Sequence, residues 1–199
     1  LHDEEFQLLK SLDTPEKIQD FVSAIPQNFE PNGDSCMSVR EVLAKRRAHC
    51  IEGAHVAALA FWINGERTLL MDMTATKDDY DHVIALFKHD GHWGAISKGN
   101  HAYVRYRDPV YRTLRELTMS YFHEYYDLQG IKTLRSFSSP VDLRKYSPEV
   151  WITGSGSWKI AEDLDKVKHF ILLSKEQEKL LRPIDALEQK AAQIAMFKQ

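Results

Sequence analysis

The dipeptide Asp90-Gly91 constrains the fold of this 199-residue chain more than any other feature. It joins two strand-length runs, residues 82–88 and 92–98, and an Asp-Gly pair between such runs is typical of a tight β-hairpin. A third run, the apolar residues 68–73, precedes them. The sequence therefore predicts an antiparallel meander of three strands.

A helix of small and apolar residues is predicted directly before the meander. It begins at Cys50 and ends before Asn64-Gly65, a pair typical of a left-handed helix C-cap. Its apolar residues share one face at helical spacing: Ile51, Ala54, Ala57, Ala58 and Phe61. We therefore predict an α+β fold in which this helix packs on an antiparallel sheet and further helices flank it.

The flanking helices are predicted from capping signals. Residues 3–10 and 14–24 have helical patterns, and the second of them starts with a threonine cap followed by proline. Ser38 and Glu41 have the spacing of a capping box, which predicts a helix toward residue 47.

After the meander the patterns are less regular. Asp108, followed by Pro109, has the pattern of an N-cap and a first helical residue, and predicts a long helix over the next 18 or so positions, through Tyr126. Residues 131–148 have the composition of a loop. A short strand at 169–173 and a polar C-terminal helix complete the prediction.

The chain is long enough for one well-packed core. We expect an N-terminal segment of helices and a loop (1–37), a core (38–128) and a C-terminal extension (129–199) packed on it, together forming one domain. The formal net charge is −3 with both signs interspersed, which argues against a nucleic-acid or membrane partner. A peptide, amide or ester substrate fits this composition better.

The cysteine content indicates the compartment. Two cysteines are too few for a disulfide framework. Cys36 and Cys50 flank a predicted helix that holds them apart, so we expect free thiols in a reducing compartment. No apolar run approaches the length of a membrane-spanning helix. These observations predict a cytoplasmic protein.

Cys50 and His82 have the pattern of a nucleophile and its base. A thiol at a helix N-terminus is stabilised as thiolate by the helix dipole and by unpaired backbone N–H groups. His82 opens the second predicted strand, and an imidazole alongside the sulfur completes a pair competent to attack a carbonyl. The pattern predicts thiol-dependent chemistry at these two residues.

The hairpin register offers two candidates for a third residue that orients the His82 ring. With a two-residue turn, His82 lies opposite Gly99, so Ser97 is a diagonal neighbour on the same sheet face. Asn100, at the end of the strand, offers an amide instead. Either group has only to accept a hydrogen bond from the imidazole, and the sequence does not choose between them.

Two further titratable residues flank the thiol. His49 is a possible second base, although neighbouring side chains on a helix diverge. Glu52, in the first helical turn, either tunes the pKa of the thiol or simply complements the helix dipole. The sequence leaves both alternatives open.

The nine histidines raise the question of a zinc site. Its ligands would be Cys50, His82, His89 and His92. However, the stretch of extended strand that separates His82 from the hairpin turn spans about 20 Å. We therefore expect neither a metal ion nor a cofactor.

Three stretches of the chain resemble the core of transglutaminase-like proteins, which belong with the papain-like cysteine-protease fold. They are SVREVLAKRRAHCIEGA at 38–54, DHVIALF at 81–87 and WGAISK at 93–98. The shared order is a cysteine that opens a helix, a histidine that opens a strand, and a tryptophan-led strand that carries the third group. The resemblance covers residues 38–100 and implies a papain-like core with Cys50 as nucleophile and His82 as base.

The resemblance also implies an oxyanion hole formed by the backbone N–H of Cys50 and one side-chain donor from upstream. Asn28 and Gln27 are the amides placed to return toward the cysteine, and Trp93 joins them as a substrate-binding candidate. Family members usually carry aspartate where this chain has Ser97.

Two classes of function follow. The first is a thiol-dependent acyl-transfer enzyme that hydrolyses a peptide, amide or ester bond through a Cys-His dyad or triad. The second is a catalytically decayed transglutaminase-like protein whose cleft binds a ligand or a partner. Ser97 at the third position keeps the second class open.

Overall fold

The computed structural model describes residues 1–198. Its helices are α1 (Asp3–Ser11), α2 (Pro15–Ala24), α3 (Val39–Lys45), α4 (Cys50–Ile63), α5 (Leu114–Tyr121), α6 (Pro148–Trp151), α7 (Trp158–Lys166), α8 (Lys175–Glu178) and α9 (Ala186–Ala192). Short 3-10 turns occupy Phe122–Glu124 and Leu143–Lys145. Over the described residues, no helix is both long and apolar enough to cross a bilayer.

The strands of the described chain form one antiparallel sheet. They are β1 (Leu69–Thr74), β2 (His82–His89), β3 (His92–Ile96), β4 (Arg107–Tyr111), β5 (Ser136–Ser138), β6 (Val141–Asp142) and β7 (His169–Ile171). Their order is β4-β3-β2-β1-β5-β7, and β6 pairs with the other end of β1. His89 lies opposite His92 across the predicted turn. The predicted meander and its register are confirmed.

Two hydrophobic cores cover the two faces of the sheet, because successive side chains of a strand point to opposite faces. On one face α4 packs onto Leu70, Val83, Ala85 and Phe87. On the other, α5 and the aromatic residues after it pack onto Met71, Met73, Ile84 and Leu86. Helix α4 is buried along nearly its whole length, between the sheet and α1 to α3. Its N-terminus is therefore held in a fixed position at the edge of the core.

The predicted N-terminal helices are confirmed, together with their caps. Thr14 accepts a hydrogen bond from the backbone N–H of Lys17 at the start of α2. Ser38 and Glu41 form the reciprocal bonds of a capping box at the start of α3. The α+β class, with an antiparallel sheet and flanking helices, is confirmed as well.

The long helix predicted after Asp108 is wrong. Its first residues belong to β4, and α5 begins only at Leu114, with Thr113 as its N-cap. Strand β4 lies at the edge of the sheet, where Pro109 is tolerated because one side of an edge strand needs no backbone donor. Pairing with β3 outweighs the local capping pattern.

The segment predicted as a loop, residues 131–148, contains β5 and β6. Both strands are short, and both pair with β1. Strand β7, close to the predicted strand at 169–173, pairs with β5. The C-terminal part of the chain therefore contributes strands to the same sheet as the meander.

Candidate active site

Cys50 is the first residue of α4, and its side chain is half-buried. His49 is the N-cap, and its backbone N–H donates to Glu52 Oε2 at 2.9 Å. Because Cys50 opens the helix, its own backbone N–H has no carbonyl partner within the helix. The thiol therefore lies at the positive end of the helix dipole.

The end of β3 lies against the first turn of α4 because Gly53 has no side chain. A Cβ atom at position 53 would lie 2.6 Å from the Cβ of Lys98. Gln19 of α2 fixes the same part of the chain, since its side chain donates to the Ser97 carbonyl oxygen and accepts from the Ser97 N–H, each at 2.9 Å. Ser97 is therefore held beside the N-terminal turn of α4.

His82 and Ser97 are joined by a hydrogen bond. His82 Nε2 lies 2.8 Å from Ser97 Oγ, and the serine hydroxyl donates its own proton to the carbonyl oxygen of Val104. The serine oxygen therefore accepts from the imidazole, so Nε2 carries a proton. In the neutral ring, Nδ1 is then the nitrogen that can take a proton from the thiol.

His82 lies close enough to Cys50 to affect the ionisation of the thiol. Burial on its own would raise the pKa of the Cys50 thiol, but hydrogen bonds and charges from His49 and His82 outweigh it and hold the pKa well below its ordinary value. This shift favours the thiolate, which is the nucleophilic form.

A second imidazole also contacts the thiol. His49 Nδ1 lies 3.9 Å from Cys50 Sγ, because the extended backbone of the N-cap turns the ring toward its neighbour. The expected divergence of the two side chains does not occur, since it holds only for residues within a helix. The other ring nitrogen, Nε2, lies 2.9 Å from the Ser35 carbonyl oxygen and 3.3 Å from Glu52 Oε1.

Glu52 is fully buried, and donors surround its carboxylate. It accepts hydrogen bonds from Asn28 Nδ2 at 3.1 Å, Ser35 Oγ at 2.8 Å and the Met37 N–H at 2.9 Å. A buried carboxylate with this many donors is stabilised in its ionised form. Glu52 is therefore a fixed negative charge in the first turn of α4, two residues after the thiol.

Glu52 and His49 stabilise each other's charged forms. Burial on its own would raise the pKa of Glu52, but the hydrogen bond and the charge of His49 lower it to about 2. Burial would likewise lower the pKa of His49, but its bonds to Cys50 and Glu52 and their charges raise it to about 11. At neutral pH the two residues are a carboxylate and an imidazolium.

The polar loop before α3 returns to the site, and the two amide candidates differ in what they bond. Gln27 forms a parallel bridge with Ala48, two residues before Cys50. Asn28 is buried and donates its side-chain amide to Glu52. Gln27 donates one long bond, 3.2 Å, to the Asn28 carbonyl oxygen, which leaves its second amide hydrogen for a ligand.

The structure places Asn100 and Trp93 away from the thiol. Asn100 exchanges two hydrogen bonds with the backbone of Phe197, at 3.0 and 2.9 Å. Of the two candidates that the sequence left open, Ser97 is therefore the one bonded to the His82 ring. Trp93 pairs with Lys88 beside the hairpin turn, at the opposite end of β2 from His82.

Two carboxylates, Asp81 directly before β2 and Asp72 in β1, have raised pKa values. Burial raises the pKa of Asp81, although its carboxylate accepts the Ala75 N–H at 2.7 Å. Burial and the charge of Asp81 raise the pKa of Asp72 to about 6. His169 Nε2 lies 3.4 Å from Asp72 Oδ2. This pair joins residues far apart in the chain, and the sequence offered no signal for it.

Metal ligands are not clustered in the described part of the chain. Within residues 1–198, no group of three or more histidine, cysteine, aspartate or glutamate side chains is arranged to hold an ion. His89 and His92 lie at the hairpin turn, separated from His82 by the length of β2.

No protein-family model matches this chain, and no curated protein matches it in sequence. The interpretation of the site therefore depends on its geometry and on the residues that surround the thiol.

Proposed function

We propose that this protein is a thiol-dependent acyl-transfer enzyme with a transglutaminase-like core of the papain-like fold, and that it hydrolyses a peptide, amide or ester bond. One observation carries the proposal: a half-buried Cys50 thiol of lowered pKa lies beside His82, whose Nε2 is bonded to Ser97. These groups are a nucleophile, a base and an orienting hydrogen-bond acceptor. The packing of α4 on an antiparallel sheet supports the same assignment.

In the proposed reaction, His82 takes the thiol proton and the Cys50 sulfur attacks the carbonyl carbon of the substrate. His82 then gives the proton to the leaving amine or alcohol as the C–N or C–O bond breaks, and a thioester remains. Water attacks the thioester and loses a proton to His82. Departure of the acid product restores the thiolate and the imidazolium.

The negative charge on the carbonyl oxygen needs two donors. The backbone N–H of Cys50 is one, since the helix does not use it. Gln27 is a better candidate for the second donor than Asn28. Its amide keeps a free hydrogen, whereas the Asn28 amide is bound to Glu52.

An activated ester tests the proposal. With p-nitrophenyl acetate we expect a burst of p-nitrophenolate equimolar with the protein, because acylation of the thiolate precedes hydrolysis. Mass spectrometry of the trapped species should find one acetyl group on the peptide that contains Cys50. Cys50→Ala should abolish the burst, and Cys36→Ala, at the buried second cysteine, is the matched control that should retain it.

If the folded protein gives no burst with ester or amide probes, the acyl-transfer function is contradicted. That result would favour the second candidate, a catalytically decayed protein whose cleft binds a ligand. Ser97 is the observation that favours this second candidate. Its hydroxyl orients the His82 ring, but it lacks the charge with which an aspartate would stabilise the imidazolium.

A further inference from the structure

Two imidazoles lower the pKa of the Cys50 thiol, and their surroundings differ. His82 is bonded through Nε2 to the neutral hydroxyl of Ser97. His49 is bonded through Nε2 to the Ser35 carbonyl oxygen, with the buried Glu52 carboxylate 3.3 Å away. One imidazole therefore has a neutral partner, and the other has a charged one.

We propose that Glu52 and His49 form a fixed ion pair that holds Cys50 as a thiolate independently of His82. His49 is then a positioning residue that supplies a permanent positive charge, and His82 is the imidazole that exchanges the proton. The proposal deepens the acyl-transfer function and rests on it for its catalytic meaning, although the ionisation of the thiol is measurable without a substrate.

The hydrogen bonds of His49 support a permanent charge. A carbonyl oxygen can only accept, so His49 Nε2 carries a proton toward Ser35. Glu30 adds a second carboxylate, 3.5 Å from the same nitrogen. A carboxylate within this distance favours the charged ring, so Nδ1 also carries a proton and faces the sulfur at 3.9 Å as a donor.

The same charge prevents His49 from acting as the base. Its raised pKa, about 11, means that the ring keeps both protons through the neutral range. A ring that does not release a proton cannot take one from the thiol or from water. Proton exchange is therefore left to His82, since Ser97 holds the ring without fixing a charge on it.

Several other titratable groups act on these residues. Those that face His49 are Glu30, Glu52 and His55. Those coupled to the thiol from neighbouring elements are Cys36, Asp81, Tyr125 and His82. Burial raises the pKa of Cys36 and of Tyr125 so that both keep their protons at neutral pH. His49 and His82 are the groups that lower the pKa of the thiol.

The proposal is tested by the pH dependence of Cys50 alkylation with iodoacetamide, followed on the Cys50 peptide by mass spectrometry. We expect His82→Ala to keep the midpoint at least about one pH unit below the ordinary thiol value near 8.5. His49→Asn should raise the midpoint by at least about one unit, which is a roughly tenfold slower reaction on the acidic side. The double variant should titrate as an ordinary thiol.

The choice of variant keeps the test independent of folding. Asn is a favourable N-cap residue, so His49→Asn removes the charge and retains the cap, whereas Glu52→Gln would disturb a fully buried side chain. His101→Asn, at an exposed histidine, is the matched control and should titrate as wild type. Circular dichroism verifies the fold of each variant.

The proposal is overturned if His49→Asn titrates as wild type, or if His82→Ala alone returns the midpoint to the ordinary value. The acyl-transfer function fails differently, through the absence of an acyl-enzyme. If the thiol midpoint is low and depends on His49 but the protein forms no acyl-enzyme, the ion-pair proposal stands and the acyl-transfer function is contradicted.

Discussion

Ser97 stands where the proposed transglutaminase-like assignment leads us to expect an aspartate, and its neighbours explain why a hydroxyl fits there. Its hydroxyl donates to the Val104 carbonyl oxygen and accepts from His82 Nε2. A carboxylate at the same position would have no proton for Val104 and would face that oxygen with like charge. A hydroxyl satisfies both neighbours.

Ser97→Ala should slow acyl-enzyme formation roughly five- to tenfold, because a hydrogen bond to the His82 ring contributes about 1 kcal/mol net. The pre-steady-state burst rate is the measurement. Asn100→Ala removes an amide that bonds Phe197 instead, so the burst should be unchanged in this control. An unchanged burst in Ser97→Ala would contradict the orienting role.

The position of Ser97 was predictable from the sequence, whereas the position of the His49 ring was not. The hairpin turn fixes the pairing from His89–His92 to Ala85–Ile96, and the same register continued past Ile96 places Ser97 near His82. The contact of His49 with the thiol depends on the backbone angles of a single N-cap residue. Its one sequence signal is Glu52, three residues later, at the spacing of a capping box.

At the scale of elements, local signals predicted α4 and the β2–β3 hairpin, but the capping pattern at Asp108-Pro109 predicted a helix where the structure has β4. Helix α4 and the β2–β3 hairpin have a period, a cap or a turn of their own. Strand β4 and the short strands β5 and β6 exist because they pair with β3 and β1. Such pairing is not encoded in the residues of the short strand itself, so sequence patterns missed it.

The close approach of α4 to the residues that follow β3 predicts the effect of a substitution at Gly53. Gly53→Ala should lower the free energy of unfolding by about 1–2 kcal/mol, because overpacking against Lys98 exceeds the gain in helix propensity. It should also slow acylation, since Ser97 adjoins the displaced residue. Denaturant unfolding and the burst rate measure the two effects.

The matched control is Gly99→Ala, one residue beyond Lys98. A Cβ at position 99 meets its nearest atoms at 3.6 Å, an ordinary contact. Stability and burst rate should therefore stay close to wild type. If Gly53→Ala behaves like Gly99→Ala, the close approach of α4 and β3 does not position the site.

At the scale of the whole molecule, the sheet carries cores on both faces, and two buried titratable groups lie within this packing. His55, on α4, is fully buried, and burial lowers its pKa to about 4. Asp72, on β1, is buried as well, and burial followed by the charge of Asp81 raises its pKa to about 6. Their effects on stability have opposite signs.

The signs follow from proton binding in the folded and unfolded chains. The unfolded chain protonates His55 near pH 6.5, but the folded protein does not, so stability is lost as pH falls from 6.5 toward 4. The folded protein holds a proton on Asp72 that the unfolded chain releases. The stability that this proton contributes is therefore lost as pH rises through 6. Between pH 4 and 6 the two effects nearly cancel in the wild type.

Single substitutions should separate the two effects. As pH falls from 7 to 4, the free energy of unfolding of His55→Leu should rise by about 3 kcal/mol relative to wild type. The variant lacks the buried imidazole whose protonation in the unfolded chain destabilises the wild type in acid. Over the same range Asp72→Asn should lose a similar amount relative to wild type. Urea unfolding at several pH values measures both differences. A His55→Leu profile parallel to wild type would mean that the folded and unfolded chains protonate this ring equally, and would contradict the lowered pKa.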